Sequence, residues 1–253
     1  VSAAPLDVET IGEGPPVVLV HGSIVGAGLT WRRQRPLAER WRLIIADRPG
    51  FGASPELPRG DFEVEAEMFA ELLGDGAHLV GHSYGAVIAL LAAAARPDAV
   101  LSLAVSEPGA LKLAGTPEGE EMIAHGEMLY AARETIPSDD FLRLFRSGTG
   151  SSRATPEELP EELLRGAELA MRERPPWEAE VPLDRLAAAG IPVLAISGGH
   201  SPVFEAVCDT IAESLGGERA VIEGRGHNIP ETGAPYNERL ERFLRSGSRA
   251  SAE

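Results

Sequence analysis

Ser83 stands at the centre of Gly81-His82-Ser83-Tyr84-Gly85. A serine in this spacing is a candidate nucleophile. The G-x-S-x-G pattern holds its serine on a sharp, strained turn between a strand and a helix, with the hydroxyl exposed above a sheet. The turn crowds the backbone on both sides, so the positions two before and two after must lack bulk. Here they are Gly81 and Gly85. The flanks fit that context: the apolar run His78-Leu79-Val80 leads in, and the helix-forming stretch Ala86 to Ala95 leads out. The positive end of such a helix faces the serine and favours a developing oxyanion.

A serine hydroxyl needs a base within hydrogen-bond reach, a group that orients the base, and donors for the oxyanion. The chain has six histidines. His82 adjoins Ser83, so its side chain points away from the serine's. His78 lies in or before a strand, His21 ends one, and His125 falls in a helical region. His200 follows a strand in Gly198-Gly199-His200-Ser201. His227 follows the last strand in Glu223-Gly224-Arg225-Gly226-His227-Asn228, where glycines let a loop turn over the sheet edge. In a chain order of serine, acid, histidine, His227 is the base.

With those residues in hand, the chain resembles the α/β-hydrolase superfamily. The matching segments are Val17-Val18-Leu19-Val20-His21-Gly22, Asp47-Arg48-Pro49-Gly50-Phe51-Gly52-Ala53-Ser54, the Ser83 turn (the nucleophile elbow) and Gly226-His227. They stand in the family's order and cover the chain outside one insertion. The resemblance implies an oxyanion hole made by the backbone N–H groups of Tyr84 and Ser23, with the Ser23 hydroxyl a further candidate donor. It also implies a helical cap between Pro108 and Pro192. Asp47 and Arg48 recur across the family whatever the substrate and are read as structural.

The acid departs from the family's common pattern. An aspartate usually follows the family's seventh strand, and Ser201 stands at that place. A hydroxyl carries no charge with which to stabilise an imidazolium. Glu107, in Val105-Ser106-Glu107-Pro108, is read at the end of the family's sixth strand, 24 residues after Ser83. Some dehalogenases and the fungal zearalenone lactonases place their acid there. Glu107 is therefore the expected acid, with Glu205 and Asp209 in reserve. Trp31 and Trp177 are candidate pocket residues; Tyr130, Phe141 and Phe145 are read as helix-face packing.

The elements that must position these residues follow from patterning. Continuous apolar runs at Val17–Val20, Leu43–Ala46, His78–Val80, Val100–Val105, Ile191–Ile196 and Arg219–Ile222 predict strands buried on both faces, hence a mostly parallel sheet covered by helices. Leu6–Ile11 alternates and predicts an antiparallel edge strand. Helices are expected at Trp31–Arg40, Val64–Leu73, Tyr84–Ala95, Val203–Leu215 and Tyr236–Arg245, with a disordered tail at Ser246–Glu253. From about Lys112 to Val181 no strand is evident, and about 70 residues without a strand predict a helical insertion. The expected architecture is an α/β core of residues 1–111 and 182–253 with a helical cap insertion at 112–181.

Composition narrows the rest. At 253 residues the chain suits one large α/β domain. A formal charge of −16 disfavours nucleic acid and anionic membranes. Cys208 is the single cysteine and is read as a small buried apolar residue in a reducing compartment. No run approaches a membrane span, and no charged-then-apolar signal opens the chain. A cytoplasmic monomer or homodimer is expected. No metal site, phosphate loop or dinucleotide fingerprint competes, so neither cofactor nor metal is expected; Gly22–Gly28 lacks the lysine of a P-loop. The resemblance implies a cofactor-independent serine hydrolase acting on a small apolar ester or lactone. The alternatives are carbon–carbon bond hydrolysis, hydroxynitrile lyase chemistry, perhydrolysis, or a small-molecule receptor on the same fold.

Overall fold

The computed structural model describes residues 5–150 and 158–250, with side chains to residue 246. Seven strands form one sheet: β1 (Val8–Ile11), β2 (Pro16–Val20), β3 (Arg42–Ala46), β4 (Ala77–His82), β5 (Val100–Ser106), β6 (Val193–Ser197) and β7 (Glu218–Val221). Their spatial order is β1-β3-β2-β4-β5-β6-β7. β1 runs antiparallel to β3; every other pairing is parallel.

The period-two geometry of strands divides each apolar run between two cores. Val18 and Val20 of β2 face one cluster, while Val17 and Leu19 face the other. β5 repeats the split, with Leu103 and Val105 against Ala104, and so does β6, with Val193 and Ala195 against Leu194 and Ile196. On the first face lie α2 (Phe62–Glu71), α3 (Tyr84–Ala95), α7 (Leu183–Ala189) and α8 (Pro202–Leu215). On the second lie the short α1 (Ala27–Thr30) and the C-terminal α9 (Ala234–Ala250). Both faces being covered explains why the runs read as continuous rather than alternating.

Between β5 and β6 the chain makes a helical excursion through α4 (Pro117–Ala132), α5 (Ser138–Gly148) and α6 (Glu161–Met171), then a 3-10 turn at Pro176–Glu178 and α7. Aromatic side chains knit it together. The Tyr130 ring lies 5.3 Å from Trp177 and 5.6 Å from Phe141, edge to face in each case. Gly126 of α4 lets Trp177 lie flat against the helix, since a Cβ there would overlap the indole.

Two expectations are corrected. Trp31–Arg40 is not one helix: α1 ends at Thr30, and a 3-10 turn at Arg35–Glu39 follows. Pro36 lacks the N–H that a continuing helix requires and disfavours helical backbone at Arg35. Residues 246–250 continue α9 rather than forming a tail, because the apolar stripe Leu240, Phe243 and Leu244 buries that helix; residues 251–253 lie outside the described ones.

Candidate active site

The β4–α3 turn presents Ser83 with φ 57° and ψ −119°, a conformation that costs a non-glycine residue about 1–3 kcal/mol. The flanking glycines make it sterically feasible. A Cβ on Gly81 would lie 2.5 Å from the Gly85 carbonyl oxygen, and one on Gly85 would overlap the carbonyls of Val20 and His21. The Ser83 N–H donates to the Ser106 carbonyl at 2.9 Å, and the Gly109 N–H donates to the Ser83 carbonyl at 3.3 Å.

A hydrogen-bonded chain runs from this serine into the protein. Ser83 Oγ lies 2.9 Å from His227 Nε2. His227 Nδ1 lies 2.9 Å from Glu107 Oε2. The other Glu107 oxygen accepts from the Gly198 N–H at 2.6 Å. With a carboxylate acceptor at Nδ1, the proton of a neutral imidazole sits there, which leaves Nε2 to accept from the serine. The His227 carbonyl in turn accepts from His82 Nε2 at 2.8 Å, and the Phe204 ring lies 4.7 Å from the His227 ring. Glu107 is fully buried and also has a positive φ of 46°. Its N–H donates to the Ile196 carbonyl at 3.0 Å, so β6 and the loop after it hold both its backbone and its side chain.

Burial sets the electrostatics. It pushes His227 down to about 3, with His200 nearby adding to the effect, so the imidazole rests neutral. It pushes Glu107 up to about 7, opposed by His200 and by the Gly198 N–H. His200 Nδ1 lies 3.6 Å from Glu107 Oε1, and its Nε2 donates to the Thr149 carbonyl at 3.2 Å.

On the other side of Ser83, the Gly22–Ser23 segment passes so close that a Cβ on Gly22 would lie 2.9 Å from Ser83 Cβ. Tyr84 opens α3, where the first N–H groups of a helix lack intrahelical partners. Gly22, Ser23, Ser83 and His227 line one cavity of about 360 Å³, together with apolar Ile24, Phe145 and Leu163. Arg32, Glu162 and Glu231 add charge to its walls.

A model of the alpha/beta hydrolase family matches residues 17–243. The chain belongs to the alpha/beta hydrolase family. It is 44% identical over 100 residues to a pimeloyl-(acyl-carrier protein) methyl ester esterase of Chromobacterium violaceum, covering 40% of this chain and 39% of that protein. It is 36% identical over 178 residues to the enzyme of the same name from Methylococcus capsulatus, covering 68% of this chain and 66% of that one. The matched stretches thus span between 39% and 66% of these relatives' lengths. Among solved structures, MenH from S. aureus shares the fold with a TM-score of 0.73 at 16% identity, covering 95% of this chain and 98% of that one.

In this alpha/beta hydrolase family member, Ser83, His227 and Glu107 come together in the order expected. Glu205 and Asp209 do not join them; both pair with Arg219, at 2.5 and 2.7 Å. Ser201, at the place of the usual aspartate, is the N-cap residue of α8. The two tryptophans are corrected: neither lines the cavity. Trp31 is fully buried in the second core with Leu37 and Trp41. Trp177 spends its surface on Gly126 and Tyr130 inside the excursion.

Sequence reasoning passed over a buried ionic cluster beside the Gly22–Ser23 segment. Arg48, 1% exposed, donates from Nε and Nη2 to Glu65 at 2.7 and 3.1 Å. Its Nη2 also lies 2.8 Å from Glu173 Oε1, and its guanidinium sits 4.1 Å from the centre of the Tyr84 ring. Burial alone would depress Arg48, but Glu65 and Glu173 hold it above its ordinary range. The Ser23 hydroxyl, a candidate third oxyanion donor, instead donates to Glu173 Oε2 at 2.5 Å. One signal pointed to Glu65: it lies on the buried stripe of α2 with Phe62, Ala66 and Phe69. No local signal marks Glu173.

Among the described residues, no three histidine, cysteine or carboxylate side chains group as metal ligands would. No helix among them is long and apolar enough to cross a membrane.

Proposed function

We propose that this chain is a serine hydrolase that cleaves a carboxylic ester or lactone through an acyl-enzyme. The observation that carries the reading is the continuous chain from Ser83 Oγ through His227 to Glu107, at 2.9 Å per step, opening into the cavity. Ser83 attacks the acyl carbon while His227 Nε2 takes its proton. Glu107 keeps the Nδ1 proton in place and balances the charge of the imidazolium. The N–H groups of Tyr84 and Ser23 receive the oxyanion. His227 hands its proton to the leaving alcohol, then activates the water that releases the acid. The helical excursion acts as a cap: Phe145 and Leu163 supply an apolar wall, which suits a small apolar acyl group. The curated relatives named as methyl ester esterases support ester chemistry broadly.

Fluorophosphonate labelling and turnover of short p-nitrophenyl esters test this reading. The wild-type chain is labelled at Ser83 and hydrolyses the esters; Ser83→Ala does neither, with turnover down by roughly 10⁴-fold or more. Labelling elsewhere, or none, overturns the assignment. Labelling without ester turnover moves the reading to other chemistry at the same three residues.

A further inference from the structure

The peptide that joins Gly22 to Ser23 is held from its carbonyl end. The Gly22 oxygen accepts from His21 Nδ1 at 2.8 Å and from Arg48 Nη1 at 3.0 Å. A trans peptide is planar, with its C=O and N–H on opposite sides. Clamping the oxygen toward the buried guanidinium therefore turns the Ser23 N–H the other way. Ser83 lies close against this segment, and the positive φ of Ile24, 76°, bends the chain immediately after it.

The clamp depends on where Arg48 points, and two carboxylates decide that. Glu65 comes from α2, in the core. Glu173 comes from the end of the excursion, two residues after α6, and is 2% exposed. A buried carboxylate is costly unless it is fully engaged. Glu173 Oε2 accepts from the Ser23 hydroxyl at 2.5 Å, while Oε1 forms an ion pair with Arg48 Nη2 at 2.8 Å without a hydrogen bond. A short strap holds it there. Glu173 bridges Gly60, the Arg174 N–H donates to the Gly60 carbonyl at 2.8 Å, and the Arg174 guanidinium covers Phe62 at 4.3 Å.

We propose that Glu173 is a positioning residue that sets the Gly22–Ser23 peptide for oxyanion binding, so that the hole is complete only when the excursion is docked. The proposal rests on the serine hydrolase reading. Glu173 touches no reacting atom; it acts through Ser23 and Arg48. Docking the excursion and ordering the oxyanion peptide thereby become one linked event.

The test uses the full chain, a p-nitrophenyl ester and a trifluoromethyl ketone, whose adduct with Ser83 carries an oxyanion. Removing an oxyanion donor outright costs about 10²–10³ in rate, and misaiming one costs less, so Glu173→Ala is expected to lower kcat by roughly 10- to 100-fold. KM should stay within about 3-fold, and ketone affinity should fall in step with kcat, because the contact matters most in the transition state. Glu173→Gln, which keeps an oxygen for Ser23, should recover part of the loss. A Glu173→Ala protein with lowered Tm but wild-type kcat and ketone affinity overturns the proposal. Should that variant fail to fold, Ser23→Ala decides: a kcat drop of roughly 10-fold supports it, and an unchanged kcat overturns it. Failure of the functional reading shows itself separately, in a wild-type chain that neither reacts with fluorophosphonate nor turns over ester; that result overturns both.

Discussion

The strands that carry Ser83 and Glu107 differ from the helices that wall the cavity in how completely they are packed. β4 buries every residue, and β5 all but Leu101. α3, directly behind Ser83, buries all but Leu91 and Ala95. α5 and α6, which line the cavity, bury less: α5 only Phe141 and Leu142, and α6 only Gly166, Ala167, Leu169 and Ala170. A densely packed frame transmits small displacements and tolerates few changes. A half-solvated helix hairpin can change its outer face freely. The Ser83–His227–Glu107 chain is thus anchored where displacement is costly, and part of the cavity wall lies in the region that can vary.

That contrast breaks first at the acid. Glu107→Ala should lower kcat by roughly 10³- to 10⁴-fold, the scale on which removal of an orienting carboxylate acts. Asp209→Ala, which loses its pairing with Arg219, and Glu205→Ala, which also loses the bond it accepts from the Gly199 N–H at 2.9 Å, should leave kcat within about 2-fold. The reverse pattern in steady-state kinetics would move the acid to α8. The same residue sets a pH signature. Glu107 must be ionised to balance the imidazolium, and burial places it at about 7. Activity should therefore fall as pH drops through about 7 and reach a plateau above it. The rising limb belongs to the coupled pair Glu107 and His227, and it should vanish in the residual activity of Glu107→Gln.

Two glycines sharpen the comparison. Gly85 packs its Cα against the Val20 and His21 carbonyls inside the frame, while Gly166 of α6 packs against the Ile24 carbonyl at the excursion's seam. Overpacking typically costs about 1–3 kcal/mol and occasionally more. Gly85→Ala should exceed that range, because sheet backbone cannot retreat, and should abolish soluble expression. Gly166→Ala should fall within it: α6 can lift, so Tm drops and KM rises while Ser83 remains open to fluorophosphonate. Equal effects in thermal melts would show that the seam is as rigid as the frame. The smallest effect is expected at Met128, 61% exposed on α4, where Met128→Ser should change stability by less than about 0.5 kcal/mol.

Much of the frame is legible because its signals are local. Apolar runs mark β2 to β6, alternation marks β1, and glycines mark the turns that bring Ser83 and His227 to one sheet edge. Glu107 is legible by substitution, since Ser201 leaves its place without a charge. The Trp31–Arg40 segment misleads because its apolar spacing survives although Pro36 forbids the continuous helix. Trp31 and Trp177 mislead because a large aromatic near a site in sequence can spend its whole surface on packing. The ionic cluster is the least legible part. Ser23 and Glu173 lie 150 residues apart, and no periodicity within either segment reports their contact. Only the seam between frame and excursion brings them together.

The hydrogen bonds around Ser83 also say how many parts of the site can move. Ser83 and Glu107 stand on adjacent strands, with His82 in register with Ser106, and their backbones are tied by the bonds from Ser83 to Ser106 and from Glu107 to Ile196. Ser83 and Glu107 therefore share one ladder and have no independent freedom. His227 alone arrives on a loop, tethered through its carbonyl to His82. In kinematic terms the site is a fixed frame with one hinged arm. Releasing that arm requires a local opening of the loop and leaves the sheet intact. On the proposed function, opening that loop alone separates Ser83 from its base while the sheet stays folded.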